Sequence, residues 1–211
     1  TGKEKENQWQ GKLVWQLGGV SQPDFVGHKE GENFLFKTVN ASSVEAEVEI
    51  APHPGGYAFD YRVKIQNNGA LAAPISLSME MGAENTVQDA GFGASQMVLQ
   101  GICGFAEEIE RQEISEQEEG PWVSSQPTVW AGIDLQYFVL GLIGKDSEKP
   151  FSGPCQVSAS GKILTLNQEI RKDTLNPGQS SEFFFTFYTG PKRDEQLLEI
   201  SPKLTDIIDY D

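Results

Sequence analysis

VEAEVEIAPHPGGYAFDYRVKIQNNGALAAPISLSMEM, residues 44 to 81, decides the fold class. Val44, Ala46, Val48 and Ile50 alternate with Glu45, Glu47 and Glu49. After the PHPGG turn, Tyr57, Phe59, Tyr61, Val63 and Ile65 alternate with Ala58, Asp60, Arg62, Lys64 and Gln66. After NNG, Ile75, Leu77, Met79 and Met81 alternate with Ser76, Ser78 and Glu80. Successive side chains of an extended chain point to opposite faces, so period two with one polar face means antiparallel strands packed on one side and wet on the other. The spacing predicts a three-strand meander.

On the N-terminal side, residues 1–10 (TGKEKENQWQ) are polar and read as a linker. Leu13, Trp15 and Leu17 then alternate with other neighbours, GGVSQP makes a turn, and residues 33–39 give another short run. On the C-terminal side, MVLQGICGF at 97–105 reads as a strand, and the acidic run AEEIERQEISEQEEG as a solvated loop or edge, with a turn of helix as the alternative. VWAGIDLQYFVLGLIG, after Gln136, and FFFTFY are apolar on both faces. Strands without a polar face are buried on both sides, which puts these two in the middle of a sandwich. Residues 163–170 and the NPGQ turn at 176–179 connect them. Pro191 opens KRDEQLLEI, and Ser201 followed by Pro202 is an N-cap with proline at the first helical position; Leu204, Ile207 and Ile208 share one helix face. The chain therefore reads as all-β: one large sandwich over 11–190 and a helical tail over 191–211.

At 211 residues, with 38% hydrophobic and 22% charged residues, the chain can bury a sizeable core and is expected to form one domain. Its net charge of −15 repels phosphate backbones and anionic lipid surfaces, which excludes nucleic acid as a partner class. No signal peptide is read at the start, and the apolar run from Tyr137 to Gly144 is far shorter than the roughly 20 residues of a membrane span. Cys103 and Cys155 form no CxxC pair and lie near no His cluster, so zinc-finger and thioredoxin-like chemistry drop out. Two unpaired, partly buried thiols are the expected state, and a disulfide in an oxidising compartment is the alternative.

Catalytic groups are sparse. His28 and His53 each sit beside turn residues with no second His or Cys nearby, which points to solvent-exposed loops. No GxSxG, HExxH or EF-hand pattern occurs, and the glycines of GLIGKDS are too closely spaced for a phosphate loop. Asp134, Asp206 and Asp209 are the carboxylates that a glycosidase reading would need across a groove, but structural or solubilising roles fit an acidic protein better. Trp9, Trp15, Trp122 and Trp130 raise the question of a sugar-stacking platform; aromatics at period two belong to a core, and Trp122, in a loop-like stretch, is the one to check for exposure. The expectation is a protein without catalytic residues, cofactor or metal.

Three stretches carry a family resemblance: GGYAFDYRVKIQNNGA at 55–70, VWAGIDLQYFVLGLI at 129–143 and LNPGQSSEFFFTFYTGPKRDEQLLEISPKLTDIIDYD at 175–211. Together they resemble the large first periplasmic domain of YidC-type membrane protein insertases of Gram-negative bacteria. The resemblance implies a twisted antiparallel β-supersandwich of the galactose-mutarotase-like type with short C-terminal helices. It further implies a non-catalytic domain facing the periplasm from the inner membrane, in a full-length protein that is membrane-embedded. Its implied partners are the Sec machinery (SecDF, SecYEG) and nascent membrane proteins, and the isolated domain is expected to be a monomer. The C-terminal helices matter most in such domains, which makes Leu197, Leu198, Ile200, Leu204, Ile207 and Ile208 the candidate tail-docking or partner-binding residues. The competing reading is a carbohydrate-binding or mutarotase-like protein, which requires paired carboxylates, histidine and exposed aromatics in one cleft.

Overall fold

In the computed structural model, the described residues are 9–39, 43–84, 99–113, 120–135, 137–145 and 151–208. They form strands β1 (Trp9–Leu17), β2 (Val20–Ser21), β3 (Phe25–Glu30), β4 (Asn33–Thr38), β5 (Val44–Pro52), β6 (Ala58–Asn67), β7 (Ala73–Glu84) and β8 (Gln100–Gly104). There follow β9 (Ile109–Glu113), β10 (Trp122–Val123), β11 (Trp130–Asp134), β12 (Phe138–Gly144), β13 (Cys155–Ser160), β14 (Ile163–Leu175) and β15 (Ser180–Pro191). Helix α1 (Asp194–Ile200) and a 3-10 helix (Pro202–Ile207) end the described chain.

The strands make two antiparallel sheets, six strands in the order β10-β13-β14-β7-β1-β2 and nine in the order β3-β4-β5-β6-β15-β12-β11-β8-β9. Their facing sides enclose the main core, with Leu17, Leu77, Met79, Met81 and Leu166 from the smaller sheet against Val48, Val63, Ile65, Ile133, Leu142 and Phe185 from the larger. The all-β supersandwich with short C-terminal helices is the observed architecture.

The three-strand meander is corrected. β5 and β6 pair as expected, yet β7 lies in the other sheet between β1 and β14. The NNG stretch is a crossing between sheets. Buried Asn67 holds it, donating from Nδ2 to the carbonyls of Leu71 and Leu175 (2.8 Å each) and accepting the Gly69 amide at Oδ1 (2.9 Å). A buried amide side chain that satisfies three polar partners is costly to disturb. The free edge of β6 is taken by β15, whose Phe185 stacks on Tyr61. Periodicity reports which face is buried and says nothing about which sheet receives it.

The acidic run contributes β9, the edge of the larger sheet, and its residues 114–119 lie outside the described residues. Among the described residues the first strand begins at Trp9. Trp122 is half-buried against the main core and does not form an exposed platform. The expected free thiols are also corrected: Cys103 on β8 and Cys155 on β13 form a disulfide, both side chains buried. The two strands face each other across the sandwich, as Gly101 against Val157 also shows, so the thiols meet at the inward positions. A cross-link closing a 52-residue separation removes unfolded-chain entropy worth about 4 kcal/mol.

Candidate functional site: the seat of the C-terminal helices

The two stretches that are apolar on both faces obtain their second cover from the chain's own C-terminal segment. Ile133, Leu140, Leu142, Phe185 and Phe187 point into the sandwich. Their neighbours of opposite parity, Trp130, Val139, Ile143 and Tyr188, join Ala58, Ile102 and Val129 in a second core on the outer face of the larger sheet. Leu197, Leu204 and Ile207 of the tail complete that core, with Ile200 and Ile208 packed partly against it. Leu198 is 57% exposed and lies outside the seat. A seven-residue helix followed by a six-residue 3-10 helix is too short to persist alone, so this burial is what holds both in place.

A row of register partners makes the floor of the seat. Ala58, Tyr188, Gly141, Gly132 and Ile102 lie side by side on β6, β15, β12, β11 and β8, ending at Arg111 on β9. The two central glycines open a trough. A Cβ on Gly141 would stand 3.3 Å from Leu204 Cδ2, and one on Gly132 would stand 2.5 Å from the Leu140 carbonyl oxygen. Leu204 thus settles onto backbone where any other residue would present a side chain.

Polar contacts fix the segment at three places. At its start, the Tyr188 hydroxyl donates to the Pro191 carbonyl (2.7 Å), and burial pushes this phenol up to about 12, with Tyr57 adding to the shift and Arg193 opposing it. At the joint, Ser201 Oγ accepts the Lys203 amide (3.3 Å) with Pro202 next in line, the cap expected from sequence, and Lys203 Nζ donates to the Ala106 carbonyl. At its end, Arg111 Nη2 donates to the carbonyls of Asp206 (3.1 Å) and Ile207 (3.3 Å), placing a cation on otherwise unsatisfied C-terminal acceptors.

Asp134 ties these points together. Its carboxylate accepts from Lys192 Nζ at 2.7 Å and faces Arg111 Nη1 at 3.8 Å, and its side chain is only 9% exposed. Of the expected structural or solubilising roles, Asp134 takes the structural one, and the pairing explains why it interrupts an apolar strand. Sequence reasoning missed Arg111, Lys192, Gly132, Gly141 and Tyr188. One signal was present: Arg111 is the only basic residue in AEEIERQEISEQEEG.

The open half of the same face is an ionic ladder. Lys37 pairs with Glu47 (2.8 Å), and Arg62 bridges Glu182 (2.7 Å) and Glu49 (3.8 Å). The Lys37 ammonium, by hydrogen bond and charge, holds the Glu47 carboxyl below its ordinary range. A groove of about 270 Å3 between this half and the tail is lined by His53, Asp60, Lys145, Thr186, Ile200 and Pro202 among others. Its carboxylate is already engaged, since Thr186 Oγ1 donates to Asp60 Oδ1 at 2.6 Å. His28 lies on β3, away from that groove. Among the described residues there is no cluster of metal-ligating groups, and no helix is long and apolar enough to cross a membrane.

The family model described as YidC periplasmic domain matches residues 2–211. The membrane protein insertase YidC of Shewanella sp. (strain ANA-3) is 26% identical over 162 residues, covering 75% of this chain and 29% of that protein. Its namesake from Syntrophus aciditrophicus (strain SB) is 22% identical over 194 residues, covering 89% of this chain and 34% of that one. The chain therefore spans about a third of these relatives. Among solved structures, a galactose mutarotase-like protein from Lactobacillus casei ATCC 334 superposes with a TM-score of 0.57 at 9% identity, covering 86% of this chain and 84% of that one. A galactose mutarotase related enzyme from Lactobacillus acidophilus gives 0.52 at 7% identity over 81% and 72%. At these identities the likeness is one of fold.

Proposed function

We propose, from the premise that this chain belongs to the YidC periplasmic domain family, that it serves as a non-catalytic periplasmic module of an inner-membrane protein insertase. In this reading the module helps membrane proteins insert and fold through contacts with Sec components or with the nascent proteins themselves. The observation that supports it is the seat: the C-terminal segment is built into the outer face of the larger sheet, so the segment and the sandwich form one packed unit. A buried disulfide between the sheets fits an oxidising compartment such as the periplasm.

The mutarotase-like alternative is not favoured. The groove beside the tail has one carboxylate among its lining residues, and a shared fold does not carry a shared activity.

Replacing Leu204 and Ile207 by Ala in the full-length protein tests the proposal. Both are fully buried, and each truncation removes about 2–4 kcal/mol of packing from the seat. Insertion of a dependent membrane protein is expected to fall while the isolated domain keeps its β-sheet circular dichroism; insertion at the unaltered rate would overturn the proposal.

A further inference from the structure

Exposed aromatic side chains gather at one end of the sandwich. Trp9 begins β1 opposite Ala83, and Gly11, two residues on, lies against the Phe187 ring, which places the start of β1 beside the Pro191 end of β15. Phe138 pairs with Pro191 in that same end, the Tyr137 carbonyl accepts the Lys192 amide, and the Tyr57 carbonyl accepts the Thr189 amide. The exposures are 47% for Trp9, 42% for Tyr57, 69% for Tyr137 and 54% for Phe138. At the opposite end stand the Gly18–Gly19 turn, the Asn67 crossing and the Asn176–Gln179 turn, where Leu71 is the conspicuous apolar side chain.

Large apolar residues left in water on an otherwise well-packed domain mark a surface that something covers. The residue types here are Trp, Tyr, Tyr and Phe, three of them with a polar tip, which is the mixture that partitions to the boundary between lipid headgroups and acyl chains. We infer that this end of the sandwich lies against a bilayer surface, with Trp9, Tyr57, Tyr137 and Phe138 dipping into the headgroup layer. The chemistry is that of a zwitterionic lipid surface, because a net charge of −15 opposes approach to an anionic one. Both described termini of the sandwich, Trp9 and Pro191, leave from this end, so the contact would set its height and tilt above the membrane. The inference rests on the reading that the domain works beside a membrane, and it adds a lipid-contacting face distinct from the tail seat.

The test is flotation of the 211-residue chain with phosphatidylcholine vesicles, and with vesicles containing added phosphatidylglycerol, at low salt. The unaltered chain is expected to float with the zwitterionic vesicles and less with the anionic ones. Tyr137→Ser with Phe138→Ser is expected to lower the partition about tenfold without unfolding the chain, since both side chains are exposed. Leu71→Ser, at the far end, is the control and is expected to leave partition unchanged. Brominated lipid should quench Trp9 fluorescence, with Trp9→Phe assigning the signal. No flotation of the unaltered chain, equal flotation of the double variant, or an equal loss in Leu71→Ser would each overturn the inference, and so would capture of a protein partner at this end without lipid binding. Vesicle partition and insertion by the Leu204 and Ile207 variant are separate readouts, so either reading can fail alone.

Discussion

Tyr188 shows how one side chain serves both the sheet and the tail. Its ring is part of the second core, and its hydroxyl reaches the carbonyl at which β15 turns into the tail. Gly190 makes this possible, because a Cβ there would stand 2.7 Å from both the Tyr188 hydroxyl and Tyr57 Cβ. Burial raises the phenol from its ordinary 10.0 to about 12, so the folded state favours the neutral form and the unfolded chain ionises first. The stability that this group contributes is therefore complete below pH 10 and is lost as the pH climbs toward 12. Denaturant titrations at pH 7 and between pH 9 and 11.5 should show it. Tyr188→Phe is expected to be less stable by about 1 kcal/mol at pH 7, through the lost hydrogen bond, and to weaken less steeply with rising pH than the unaltered chain. Parallel pH curves for the two would show that the phenol is not buried at the seat.

The elements explain what could be read from sequence and what could not. Alternation in β5, β6 and β7 identified strands and buried faces because burial acts on each strand separately. It could not place β7, since the choice of sheet rests on Asn67, a side chain whose partners Leu71 and Leu175 are set by the folded chain. The double-faced pattern of β12 and β15 was legible, as was the Ser201–Pro202 cap. The identity of the cover was not, because an apolar face looks alike under a second sheet or under two short helices. Leu197 and Leu198 could not be told apart for a related reason: in a seven-residue helix both have equal claim to the buried face until the seat is known. Pairing of Cys103 with Cys155 likewise needed the facing of β8 and β13. Ile102 and Gly104, which flank Cys103 on β8, point to the tail side, so the disulfide braces a strand that forms part of the seat. Cys103→Ala with Cys155→Ala should lower unfolding free energy by about 4 kcal/mol in guanidinium titrations. A loss under 1 kcal/mol would mean that packing alone fixes β8.

Over the whole molecule, the surface divides by what covers it. One half of the larger sheet's outer face is sealed by the tail, the other half carries the ion-paired ladder of Lys37, Glu47, Glu49, Arg62 and Glu182, and one end carries exposed aromatics. The sealed seat is the structural basis of the proposed role as a module that positions other components. That account stands on the tail being an integral layer of the domain. Amide hydrogen exchange across residues 194–208 measures this directly. In the unaltered chain, the amides of Leu197, Ser201, Leu204 and Ile208, all hydrogen-bonded within the segment, should exchange far more slowly than in an unfolded peptide. Gly141→Val, which drives branched methyls into the place of Leu204 at a cost of about 1–3 kcal/mol, should speed exchange in that segment roughly tenfold or more while leaving β5 and β6 unchanged. Exchange at unfolded rates in the unaltered chain, or no acceleration in Gly141→Val, would contradict the account.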